Sequence, residues 1–106
     1  MSEFASTDAL SVRVADDGSI AVAGEIDMAG GPVLEAALLQ CEGDGPLVID
    51  LGQVSFIDSS GLRSLLEAGR RARGRGTTVH LRNVGPEVAR LLEITGTTDQ
   101  FEVTYR

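Results

Sequence analysis

In the run Asp58-Ser59-Ser60-Gly61, an acid and two hydroxyls follow the apolar pair Phe56-Ile57 and precede an apolar stripe at helical spacing. Phe56-Ile57 carries the chain into the protein, and the polar cluster then marks a helix start. Such a start leaves backbone N–H groups unpaired at the positive end of the helix dipole, so a phosphate on a serine is tolerated there. Gly61, lacking a Cβ, allows close backbone approach or room for a partner. The chemistry on offer is either plain helix capping, for which Asp and Ser are favoured, or covalent modification of a surface hydroxyl. One cap uses one side chain, and three candidates stand here, so a serine is left over for modification.

The other polar residues offer less. His80 is the only histidine, lies in an alternating strand pattern and has no second His to join it. It reads as a surface or satisfied residue, and no metal site is expected. The single cysteine, Cys41, cannot form an internal bridge and reads as a small buried apolar residue near a helix end. Glu25 and Asp27 make a carboxylate pair in sequence, yet acid–base work also needs a concave site and a shifted pKa, which spacing does not supply. Arg73-Gly74-Arg75-Gly76-Thr77-Thr78 follows a helix, whereas a nucleotide-binding fingerprint follows a strand, so a flexible turn is expected. All 9 basic residues are arginine, which excludes Schiff-base chemistry and a P-loop lysine. The expectation is a binding protein and not an enzyme, with no cofactor.

These groups need a scaffold, and 106 residues suffice for one packed domain but not two. Hydrophobic residues at 42% and charged ones at 24% match an ordinary globular chain. Aromatics are only 4% and Trp is absent, so Val, Ile, Leu and Ala must fill the core, and stacking platforms for single-stranded nucleic acid are missing. A net charge of -7 argues against nucleic acid or an anionic membrane as partner. Met1-Ser2-Glu3-Phe4 has an acid where a signal peptide wants a base, and no apolar run approaches the roughly 20 residues of a membrane span. A cytoplasmic location is expected.

Leu10, Val12 and Val14 alternate with polar residues, Asp16-Asp17-Gly18-Ser19 supplies a turn, and Ile20 to Ala23 resumes the extended pattern, which predicts a hairpin. Val33, Leu34, Ala37, Leu38 and Cys41 predict a first helix, with Pro32 in its first turn and a flexible lead-in at Ala29-Gly30-Gly31. Leu47 to Leu51 reads as a central buried strand. A second helix follows Gly61, with positions 62, 65, 66, 69 and 72 inward, an Arg-rich outer face and a Glu67–Arg71 pair. Thr77 to Leu81 is a further strand, Gly85-Pro86-Glu87 opens a third helix closed by Gly96, and Phe101, Val103 and Tyr105 suggest a last strand. The βαβ steps imply right-handed crossovers in a mixed sheet. Residues 1–7 read as a loose tail before a domain over 8–106.

Val48-Ile49-Asp50-Leu51 followed by Val54-Ser55-Phe56-Ile57-Asp58-Ser59-Ser60-Gly61-Leu62 resembles the signature of bacterial STAS-domain anti-sigma-factor antagonists. Gly24-Glu25-Ile26-Asp27, Asn83-Val84-Gly85-Pro86-Glu87-Val88 and Leu91-Leu92-Glu93-Ile94-Thr95-Gly96 extend the resemblance over roughly Leu10 to Val103. It implies a single α/β STAS-like domain, a mixed β-sheet with helices packed mainly on one side. It implies that Ser59, directly after Asp58, is a phosphoacceptor, and that Asp58, Ser59, Ser60, Gly61 and Asp27 belong to the partner surface, with Ser60 better read as a cap. In that family the unphosphorylated protein binds an anti-sigma factor that is also a serine kinase and so releases the sigma factor. Phosphorylation ends the complex and a serine phosphatase restores it. Asp50 lies at the middle or end of a buried strand, and the acceptor aspartate of receiver domains also ends a strand, but receiver chemistry needs a lysine, so Asp50 is expected to be structural or part of the switch surface. The alternative job for the same fold is a scaffold or transporter-associated subunit without a phospho-switch.

Overall fold

Period-two alternation from Leu10 onward sorts a six-stranded sheet into a buried face and an open one. A computed structural model describes residues 2–7 and 9–106. The elements run β1 (Ser2–Ser6), β2 (Leu10–Val14), β3 (Ile20–Ile26), α1 (Gly30–Cys41), β4 (Leu47–Ile57), α2 (Ser59–Gly74), β5 (Val79–Val84), α3 (Pro86–Thr95), a 3₁₀ turn at Thr98–Gln100 and β6 (Glu102–Tyr105). The strands lie side by side in chain order; β1, β2 and β3 are antiparallel, and β3 through β6 are parallel. Three successive parallel connections in one direction put all three helices against the same core. The mixed sheet covered on one side is the architecture the resemblance implied.

That face holds the core: Leu10 and Val12, Ile20 and Val22, Leu47, Ile49 and Leu51, Val79 and Leu81 are all buried. From the helices, Leu34, Ala37 and Leu38 meet them, as do Leu62, Leu65, Ala68 and Ala72, and Val88 and Leu92. These positions recur at three- and four-residue intervals, which keeps them on one stripe, and each fully buried leucine contributes roughly 2 kcal/mol of transfer free energy. The open face carries the alternate residues, among them Ser11, Arg13, Asp50, His80 and Arg82. Asp50 is structural there: its carboxylate accepts from the Gly52 N–H and the Asn83 side chain, both at 2.9 Å, and faces Arg82 at 3.5 Å. His80 meets Thr104 Oγ1 through Nε2 at 3.1 Å.

The hairpin turn forms as its residues predict. Gly18 takes φ +86°, the left-handed conformation that favours glycine, and the Ser19 N–H and hydroxyl both donate to Asp17 Oδ1, at 2.9 and 2.6 Å. Local signals also locate α3, with Pro86 in its first turn and Gly96 closing it at φ +68°. Cys41 ends α1 half-buried against the core.

Four expectations are corrected. Residues 2–6 of the expected tail form β1, paired with β2 from Ser2 opposite Val14 to Ser6 opposite Ser11, while Met1 lies outside the described residues. The central strand does not stop at Leu51 but runs on to Ile57, and Phe56 is 46% exposed because it falls on the outward side of that extension. Glu67 bonds Arg70, not Arg71. Arg71 turns toward the end of α1, where Glu42 takes its guanidinium at both Nε and Nη2 (2.9 and 2.7 Å), a forked, charge-assisted pairing. Finally, Ala29-Gly30-Gly31 is no flexible lead-in: Gly30 and Gly31 are buried inside α1.

Candidate functional site

Strands β3 and β4 run parallel and in register at their ends, Ile26 opposite Ile57. The chain therefore leaves the sheet at two adjacent points, Asp27 and Asp58, and turns into two helices whose N-termini lie side by side. Asp58 is the N-cap of α2, its Oδ1 accepting from the N–H groups of Ser60 (2.9 Å) and Gly61 (3.1 Å). Asp27, two residues before Ala29 at the N-cap of α1, makes a matching pair of bonds one strand away, with Oδ1 accepting from the N–H groups of Ala29 at 3.1 Å and Gly30 at 2.8 Å. An aspartate at such a place stabilises its helix by about 1 kcal/mol through orphan donors that would otherwise face solvent. The capping role expected of Ser60 belongs to Asp58, because the backbone brings Asp58 Oδ1 under two N–H groups at once.

Glycines let the start of α2 approach both the end of β3 and the start of α1. A Cβ on Gly61 would lie 2.6 Å from Ile26 Cγ2 and closer still to the Ile26 carbonyl oxygen. A Cβ on Gly31 would lie 3.2 Å from the Ser60 carbonyl oxygen and 3.3 Å from Ser64 Oγ. Ser64 is buried and donates its hydroxyl hydrogen to the Gly31 carbonyl at 2.9 Å, tying α2 to α1. Sequence reasoning passed over Ser64, whose inward place within the apolar stripe was the available signal.

Ser59, first residue of α2, is exposed, and its hydroxyl makes no hydrogen bond among the described residues. It borders a groove of about 500 Å³ lined also by Met28, Pro32, Glu35, Ser60, Arg63 and Ser64. Met28 is 77% exposed, a large apolar side chain standing in water at the rim. The structure thus brings Asp58, Ser59, Ser60, Gly61 and Asp27 into one corner and adds Met28, Pro32, Glu35 and Arg63, which sequence spacing did not connect because they meet only when α1 packs on α2. Asp50 is not among them; it sits at mid-strand on the open face. The arrangement can present an accessible nucleophilic hydroxyl beside a shallow, partly apolar groove. Farther down the same helix pair, the Glu42 carboxyl loses solvation through burial, but hydrogen bonds and charge from Arg71 and Arg75 more than offset this and hold it below the usual carboxylate range.

The family model described as "Mlab, STAS domain" matches residues 11–103. The anti-sigma-B factor antagonist of Bacillus subtilis is 32% identical over 90 residues, covering 84% of this chain and 83% of that one. The anti-sigma-B factor antagonist of Listeria monocytogenes is 38% identical over 93 residues, covering 86% and 82%. Among solved structures, an anti-sigma factor antagonist from Mycobacterium paratuberculosis superposes with a TM-score of 0.79 at 34% identity, covering 96% of this chain and 90% of that one. Among the described residues no helix is long and apolar enough to cross a membrane. A match over nearly the whole sheet-and-helix unit, together with the Asp58–Gly61 corner in place, shows that this chain belongs to the STAS-domain family.

Proposed function

We propose that this chain is an anti-sigma-factor antagonist switched by phosphorylation of Ser59. Unphosphorylated, it binds an anti-sigma factor that is also a serine kinase, and the sigma factor is released. The kinase then transfers the γ-phosphoryl group of ATP: a bond forms between Ser59 Oγ and phosphorus, the bond to the ADP oxygen breaks, and the hydroxyl proton passes to the kinase. A serine phosphatase hydrolyses the phosphoserine and restores binding. The role asks no catalysis of this chain and fits a cytoplasmic regulator.

The observation that carries this proposal is the exposed, unbonded hydroxyl of Ser59 at a rigidly capped helix start, flanked by the Met28–Arg63 groove. Asp58, Ser60, Gly61 and Asp27 complete the partner surface. A phosphate adds about -1.5 to -2 charge, which a solvent-exposed position in the free protein accommodates and a close, partly dry interface does not. A hundredfold loss of affinity needs only about 2.7 kcal/mol, within what one repelled or desolvated charge supplies.

Titration calorimetry of wild type, Ser59→Ala and phosphorylated protein against the anti-sigma factor tests it, with thermal melts alongside. Wild type and Ser59→Ala bind alike, and the phosphorylated form binds about a hundredfold more weakly with its fold intact. Equal affinity of all three forms would sink the switch and favour the scaffold role.

A further inference from the structure

We infer that Arg63 is the internal counter-ion of phosphorylated Ser59, so that in the off state the phosphate folds back along α2 onto the Arg63 guanidinium and occupies the groove. This rests on the phosphorylation of Ser59 proposed above and names the device that makes it compatible with the fold.

Ser59 and Arg63 are four residues apart on α2, so their side chains lie on one face a single turn apart, and both line the same groove. Arg63 is exposed and makes no hydrogen bond or ion pair among the described residues. The arginines farther along α2 are engaged. Arg70 pairs with Glu67, Arg71 with Glu42 and, at 3.7 Å, Glu35, and Arg73 donates to the Gln100 carbonyl. Arg75, which caps the helix, bonds Glu42 and the Gly43 carbonyl. Arg63, one turn from Ser59, is the arginine of α2 with no hydrogen bond or ion pair among the described residues; Glu67, one turn further on, feels its charge but bonds Arg70.

The carboxylates around it have their own partners. Asp58 is turned onto the N–H groups of Ser60 and Gly61, Asp27 onto those of Ala29 and Gly30, Glu35 faces Arg71 across the helix contact, and Glu67 holds Arg70. Asp58 has a second consequence. By taking the N–H groups of Ser60 and Gly61, it removes the donors a phosphate on Ser59 would otherwise use, and it adds a negative charge beside the phosphate. The dianion then needs a donor from elsewhere, and the planar fork of Arg63 suits phosphate oxygens. Seated there, the phosphate stands beside Met28 and Pro32, on the surface offered to the partner.

The test installs phosphoserine at position 59 of the full chain during translation, in wild type, Arg63→Gln and Arg63→Lys, and follows the phosphate by ³¹P NMR against pH. Paired with Arg63, the second ionisation falls about half a pKa unit below its usual value near 6, Arg63→Gln restores that value, and Arg63→Lys lies between. Raising the salt to about 1 M shrinks the depression in the wild type, an internal reading that needs no variant. Coincident titration of wild type and Arg63→Gln, with no salt effect, overturns the proposal. Because the phosphoserine is supplied directly, that outcome leaves open whether a kinase uses Ser59, which peptide mapping reads separately.

Discussion

The hydroxyl of Ser64, buried in the first turns of α2, donates to the carbonyl of Gly31 in α1 over 2.9 Å. This bond and the glycine contacts around it hold two helix N-termini against each other, so Ser59 and the groove are presented by a packed corner and not by a mobile loop. The energetics of that corner can be tested one residue at a time.

Gly61→Ala should destabilise the protein by about 2 kcal/mol or more, because the new methyl must displace the Ile26 carbonyl, a backbone atom that cannot rotate away. Gly43→Ala, where an added Cβ meets nothing within 4 Å, should stay within about 0.5 kcal/mol of wild type. Urea unfolding of the two variants gives the comparison. A Gly61→Ala midpoint equal to that of Gly43→Ala would show that the start of α2 is not packed against the Ile26 end of β3 in solution.

Asp58→Ala should cost about 1 kcal/mol through loss of the cap, and Asp58→Asn should recover most of it. Ser60→Ala should be nearly neutral. Thermal melts decide, and a larger loss for Ser60→Ala than for Asp58→Ala would reverse the capping assignment.

Hydrogen bonds from Ser19, with Arg82 nearby, lower the Asp17 carboxyl from its ordinary 3.8 to about 2. A group whose pKa is depressed by folding stabilises the folded state above its unfolded value, and that stabilisation disappears as pH falls through the folded value. Wild-type stability should therefore decline between pH 4 and 2 in a part that Asp17→Asn abolishes. Chemical denaturation at closely spaced pH values measures it; identical acid profiles for the two proteins would exclude an Asp17 contribution.

Incubation with ATP and the cognate kinase should label Ser59, with Ser60, Ser55 and Ser64 unlabelled. Ser59 is exposed with a free hydroxyl, whereas Ser64 is buried and its hydroxyl is committed to Gly31. Proteolysis and mass mapping read the site. Phosphate found mainly on Ser60 would shift the switch by one residue and remove the geometry that pairs it with Arg63.

What the sequence determined by itself was local. The Asp16–Ser19 turn, the Pro86 start and Gly96 stop of α3 and the alternation of β2, β3 and β5 depend on backbone preference and periodicity within a few residues, so their outcome was legible. The Asp58–Gly61 helix start was legible for the same reason, as was its family signature. Tertiary structure decided whatever depends on residues far apart in the chain. Glycines at 30, 31 and 61 look alike in sequence whether they provide flexibility or close approach, and only the packing of α1 on α2 and β3 makes them contacts. Arg71 had Glu67 within reach at helical spacing, yet Glu42, 29 residues away, takes it because α1 ends alongside α2. Strand β1 forms because β2 offers it an edge, an interaction that five residues without apolar alternation do not announce. The groove beside Ser59 exists only because two parallel strands end in register, Ile26 beside Ile57, and set two capped helices side by side.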